Sequence, residues 1–123
     1  MPSAYLIVES RITDPEVFKR YAAAAPEAVR AFGGEYLVRG GRIDVLEGDW
    51  QPPRLTVVRF ASFEQARAMY DSPAYVQARS LRAGTTSCFN MVLVEGTDAP
   101  PVFSSYGSSG SSSSNPPPSQ GQE

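Results

Sequence analysis

The stretch from Glu35 to Trp50 reads EYLVRGGRIDVLEGDW, and its pattern decides how the rest of the chain is arranged. Glu35–Arg39 has the character of a strand, Gly40-Gly41 that of a turn, and Arg42–Glu47 that of a second extended run closing in Gly48-Asp49-Trp50. Two glycines between alternating runs signal a hairpin, because glycine adopts positive φ without steric cost. The same stretch brings Arg39, Glu47, Asp49 and the only tryptophan together on or beside strands. It is therefore the first place to look for a site.

On its N-terminal side, Ala4–Glu9 (AYLIVE) reads as a strand that is apolar on both faces. Asp14-Pro15 opens a helix, the aspartate as N-cap and the proline at the first helical position. Phe18, Tyr21, Ala22, Ala25, Val29 and Phe32 follow at helical spacing as one apolar stripe. Pro26 lies inside it, removes the bond to the Ala22 carbonyl, and is expected to kink or restart the helix. Gly33-Gly34 stops it.

On the C-terminal side, Gln51-Pro52-Pro53 is a linker and Arg54–Phe60 a strand of β-branched and aromatic character. Ser62 with Gln65 forms a capping box for a helix whose inward face carries Phe63, Ala66, Tyr70 and possible gap-filler Met69. Asp71-Ser72-Pro73 breaks and restarts that helix, Gly84 ends it, and Phe89–Glu95 is the last strand. The order β-α-β(β)-β-α-β, the bracketed strand being the second run of the hairpin, predicts a ferredoxin-like βαββαβ α+β sandwich, with helices on one face of an antiparallel sheet. Yet the first, third and last strands carry apolar residues on both faces. The uncovered side would expose more apolar area than soluble monomers tolerate. A second copy, paired sheet to sheet as a dimeric α/β barrel, is the expected cover.

The chain has 123 residues and a formal net charge of −2. Residues 1–97 form the expected domain. Residues 98–123 are rich in Ser, Pro and Gly, too poor in apolar groups to repay ordering entropy, and are expected to be disordered. No basic run points to nucleic acid. No apolar segment approaches the roughly 20 residues needed to cross a bilayer, and the N-terminus lacks a signal-peptide pattern. The single cysteine, Cys88, rules out an internal disulfide and fits a reducing compartment, so a cytoplasmic location is expected. Histidine is absent and Lys19 is the only lysine. This argues against Ser–His and Cys–His nucleophile pairs, imidazole metal ligands and Schiff-base chemistry. No metal or nucleotide motif is present, and no cofactor is expected.

Three segments, LVRGGRIDVLEGDW (Leu37–Trp50), YDSPAYVQARSLR (Tyr70–Arg82) and VLVEG (Val92–Gly96), give the chain over roughly residues 2–97 a resemblance to the domain-of-unknown-function 1330 family of the dimeric α/β-barrel superfamily. The resemblance implies a ferredoxin-like dimer and no particular reaction. Cofactor-free monooxygenases, lactone isomerases and chlorite-dismutase-like haem proteins share the superfamily's fold, an analogy of fold alone. The chain departs from the family pattern at Cys88-Phe89-Asn90, where a charged residue usually enters the last strand, and in its serine-rich tail.

Arg39 is the first candidate for binding. At a strand end beside glycines it could clamp a carboxylate bidentately, or pair with Glu47 across the hairpin. Glu47 and Trp50 are candidates for a general base beside an aromatic wall, or for plain turn residues. Tyr75 and Arg79, one turn apart, could point a phenol and a cation into one pocket near Tyr70. Arg59, in mid-strand, needs a partner such as Glu9, Glu95 or a ligand, with Asn90 on the last strand as a further polar contact. Two readings follow. In the first, the protein binds or transforms a small anionic or aromatic metabolite beside the dimer sheet without metal or nucleotide, with Glu47 and Tyr75 as catalytic groups. In the second it is a non-catalytic dimeric assembly module with a disordered tether.

Overall fold

The computed structural model describes residues 2–97; the expected disordered extension lies outside the described residues. The elements are β1 (Ala4–Ile12), α1 (Pro15–Ala31), β2 (Glu35–Arg39), β3 (Leu55–Phe60), α2 (Phe63–Asp71), α3 (Pro73–Ser80) and β4 (Thr86–Glu95). The four strands form one antiparallel sheet in the order β2-β3-β1-β4. This is the ferredoxin-like order, with the split second helix anticipated at Ser72-Pro73.

Local chemistry sets the helix ends. The Asp14 carboxylate accepts from the Val17 amide at 3.2 Å, and the Ser62 hydroxyl accepts from the Gln65 amide at 3.1 Å. Ser72 serves two helices at once: its hydroxyl donates to the Met69 carbonyl at 2.7 Å and accepts from the Tyr75 amide at 3.2 Å. Thr85, fully buried, ties the end of the helical layer to the start of α1, because its carbonyl accepts from the Thr13 and Asp14 amides.

Alternation along the strands sorts side chains between two faces. Leu6 and Val8 of β1, with Val58 and Phe60 of β3, point at the helices and meet Ala25, Ala28 and Val29 of α1, Ala66 and Met69 of α2, and Tyr75 of α3. Each large apolar side chain so buried contributes about 1.5–3 kcal/mol. The opposite face carries Tyr5, Ile7, Val57, Val92 and Val94, and none of the described helices covers it. Val92 is 58 % and Val94 47 % exposed. The distribution between faces agrees with the alternation read from the sequence.

Three expectations are corrected. The hairpin does not close at Gly40-Gly41. β2 pairs with β3, not with Arg42–Glu47, and the whole segment from Gly41 to Arg54 is a connection without strand. Gly40 does take positive φ (71°), but its amide donates to the Leu55 carbonyl at 2.9 Å, which sends β2 to β3. Arg42–Glu47 pairs with no strand among the described residues. Pro26 does not restart α1, which runs as one helix from Pro15 to Ala31 with Pro26 buried against the core. Burial of that face outweighs one missing hydrogen bond. Finally, β1 and β4 are longer than the apolar runs suggest, since pairing continues from Glu9 and Asn90 out to Ile12 and Thr86 past a register shift.

Candidate functional site

A cavity of about 60 Å³ lies between the helices and the sheet. A water needs roughly 10–15 Å³, so it has room for about four. Apolar groups such as Leu6, Val8, Phe18 and Met91 make most of its wall, and Tyr21, Tyr36, Tyr75, Arg39 and Arg54, with Ser10 and Thr56, supply its polar groups.

The phenols come from three elements. Tyr21 on α1 and Tyr75 on α3 share a hydrogen bond at 2.7 Å, and Tyr21 meets Phe89 edge to face at 6.2 Å. Burial pushes the Tyr21 phenol well above the usual range; Tyr75 adds to the shift and Arg82 opposes it. Arg82 stacks over Phe89 at 3.7 Å and lies 5.2 Å from the Tyr21 ring, its Nε buried without a partner among the described residues. Burial also raises Tyr36, against the pull of Arg39. Neutral phenols of this kind donate hydrogen bonds; they are poor bases near pH 7.

Arg39 reaches the cavity through two irregularities. A register shift at Leu37 puts Tyr36 opposite Val58 and Arg39 opposite Thr56, so residues three apart share the helix-side face. The Arg39 guanidinium then lies 4.7 Å over the Tyr36 ring, and its Nη2 donates to the Ala22 carbonyl at 3.0 Å. That carbonyl is the one the missing Pro26 N–H leaves without its helical partner. Arg54, just before β3, packs its guanidinium over Gly40, where a Cβ would meet Nη1 at 2.0 Å. Neither Arg39 nor Arg54 has a carboxylate within ion-pairing distance among the described residues.

Of the residues singled out from the sequence, Arg39 and Tyr75 line this cavity; the others sit elsewhere. Arg59 faces the uncovered side and pairs with Glu35 across the β2–β3 ladder, not with Glu9 or Glu95. Glu9 instead accepts from Trp50 Nε1 at 3.0 Å and from Asn90 Nδ2 at 3.1 Å, so those three form a polar cluster at the edge of the open face. Tyr70 and Arg79 stack on one another at 4.6 Å, and Tyr70 lines a separate groove beside β4. Glu47 is exposed on the connection after β2 and does not pair with Arg39. The cavity described lies under the helices, on the side of the sheet opposite the uncovered face where the pocket was expected. Tyr21, Tyr36 and Arg54 were missed. Tyr21 lay in plain view in the α1 stripe, and Arg54 alternates with Thr56 and Val58 toward the helices. Only the bulge at Leu37 joins Tyr36 to Arg39.

No group of three or more His, Cys, Asp or Glu side chains converges among the described residues, and none of the helices described is long and apolar enough to cross a membrane.

These features define a ferredoxin-like α+β domain with a cationic mouth on an apolar cavity. The chain belongs to the family described as domain of unknown function DUF1330, whose model matches residues 3–97. Among solved structures it is similar to a protein of unknown function from Rhodopseudomonas palustris (14 % identity, 79 % of this chain and 84 % of that one, TM-score 0.65). It is also similar to a dimeric ferredoxin-like protein of unknown function from Jannaschia sp. CCS1 (15 % identity, 76 % and 98 %, TM-score 0.57). A third is a protein from Caulobacter crescentus CB15 named provisionally as an antibiotic biosynthesis monooxygenase (10 % identity, 79 % and 92 %, TM-score 0.52). No curated protein matches the sequence.

Proposed function

We propose that the cavity binds a small carboxylate with an apolar or aromatic body, its anion held by Arg39 and Arg54 and its body seated against Tyr36, Tyr21 and Tyr75. The observation that carries this reading is the pair of arginines at an apolar cavity with no carboxylate among the described residues within ion-pairing distance of either. Guanidinium matches a carboxylate bidentately, and such charge-assisted bonds are the strong ones. Tyr21, kept neutral by burial, shares a hydrogen bond with Tyr75, and the hydroxyl hydrogen that bond leaves over would be donated to a ligand oxygen. Glu47 is too exposed and remote to serve as base, so any proton transfer falls to a phenol or a bound water.

The working unit in this reading is a cytoplasmic homodimer. The uncovered apolar face supports the dimer, as do fold neighbours described as dimeric; the lone Cys88 thiol supports the reducing location.

Thermal denaturation across a panel of mono- and dicarboxylates, benzoate included, tests the site. A ligand at a hundred times its Kd adds about 2.7 kcal/mol, a rise on the order of 10 °C for a domain this size. Arg39→Ala and Arg54→Ala are expected to abolish the rise, and Arg59→Ala to leave it. Absence of a shift with every member of the panel would overturn the assignment.

A further inference from the structure

The connection between β2 and β3 has an unusual balance of features. Its backbone from Gly41 to Pro53 makes no hydrogen bond to the rest of the described residues; the bonds Gly40 N–H to Leu55 and Ser10 N–H to Arg54 lie at its two roots. It nevertheless holds Ile43, Val45, Leu46 and Trp50 in solvent, Leu46 at 84 % exposure and Trp50 at 60 %. Water solvates the bare backbone at no great cost, but it does not favour four apolar side chains on one short segment. Through Trp50 and Glu9 the segment returns along the rim of the uncovered sheet face, so the two exposed apolar surfaces are continuous.

We propose that Gly41–Trp50 is an arm that packs on the sheet of a second copy of this chain, with Leu46 and Trp50 as its anchors. The proposal rests on the homodimer proposed above. The size of the contact is what a second copy as occupant requires. Standard interfaces involve roughly 20–30 residues a side. The open face presents only about a dozen side chains by strand alternation, and the ten residues of the arm bring the surface into that range. Two-fold symmetry makes the exchange reciprocal: each arm covers apolar sheet on the other subunit, and each sheet receives an arm. The arm also springs from the two arginines at the cavity, leaving β2 just after Arg39 and rejoining β3 at Arg54. Its docking on a second copy would hold the cavity mouth in shape.

The full chain tests this with its single tryptophan as reporter. Sedimentation and acrylamide quenching are measured on the wild type at micromolar concentration, and on Leu46→Asp, a change at a site too exposed to unfold the domain. Expected are a dimer with Trp50 shielded from quencher, and a Leu46→Asp protein that is folded by circular dichroism. Its association is expected to be weaker by about a hundredfold and its tryptophan open to quencher. A dimer whose Trp50 is quenched as freely as in an unfolded chain, or one that Leu46→Asp leaves intact, overturns the arm and spares the dimer. A monomeric wild type overturns the dimer itself, and the arm with it.

Discussion

A phenol buried beside another phenol is a residue with a measurable signature. Tyr21 is held neutral by burial and by its 2.7 Å bond to Tyr75, while in an unfolded chain its hydroxyl ionises near pH 10. Because the folded-state value is raised, the stability this pair contributes is present in full below about pH 10. It drains away as pH climbs from there toward the folded-state value, by about 1.4 kcal/mol per pH unit for each such group. Tyr36 acts in the same direction. Tyr21→Phe should therefore cost about 1 kcal/mol at pH 7 through the lost hydrogen bond and flatten the alkaline fall. Denaturant midpoints between pH 8 and 11 measure both, and parallel curves for variant and wild type would sink the assignment. The residues least legible in the sequence are of this kind. Tyr21 and Tyr75 look like core aromatics at helical spacing, and nothing local says that their hydroxyls meet.

At the scale of elements, two departures from regularity place one side chain. The bulge at Leu37 turns Arg39 toward the helices, and Pro26 leaves the Ala22 carbonyl free to accept its Nη2. Pro26 was legible as a helix defect, but its effect is a docking point on α1 for a residue of β2. Pro26→Ala restores an amide that competes for the Ala22 carbonyl. The variant should keep its melting temperature within a few degrees, since a regained helical bond (about 1 kcal/mol) offsets lost packing. Carboxylate binding should weaken about tenfold, the equivalent of about 1.4 kcal/mol. Titration of the thermal shift with a carboxylate that stabilises the wild type reads this directly; unchanged affinity would mean that the Ala22 bond does not position Arg39. The failed hairpin belongs to the same scale. Gly40-Gly41 has the right residues for a turn, but turn residues permit a reversal without requiring one, and β3 offers β2 a partner that is itself bonded to β1.

For the whole molecule, the domain boundary is the first thing to test. The family model and the described elements both end by residue 97, with β4 closed off where the Gly96 amide donates to the Ser3 carbonyl at 2.7 Å. A chain ending at Thr97 should therefore melt within about 2 °C of the full chain and give the same far-ultraviolet circular dichroism per folded residue, since a segment poor in apolar groups adds little to a core. A loss of 5 °C or more would place part of residues 98–123 in the fold. The dimer and its arm also belong to this scale, because one subunit leaves both an apolar sheet face and an apolar loop in water.

The sequence by itself determined the order of elements apart from the run at Arg42–Glu47, the caps at Asp14, Ser62 and Ser72, and the sorting of side chains between two faces in β1, β3 and β4. These follow from local geometry: periods of 3.6 and 2, and side chains that bond within three residues of themselves. Only the tertiary structure decided which strand β2 would join, which acid Arg59 would take, and that Arg39, Arg54 and tyrosines from three elements would surround one cavity. Those outcomes depend on groups far apart in the chain competing for the same partners, and no local pattern records who wins.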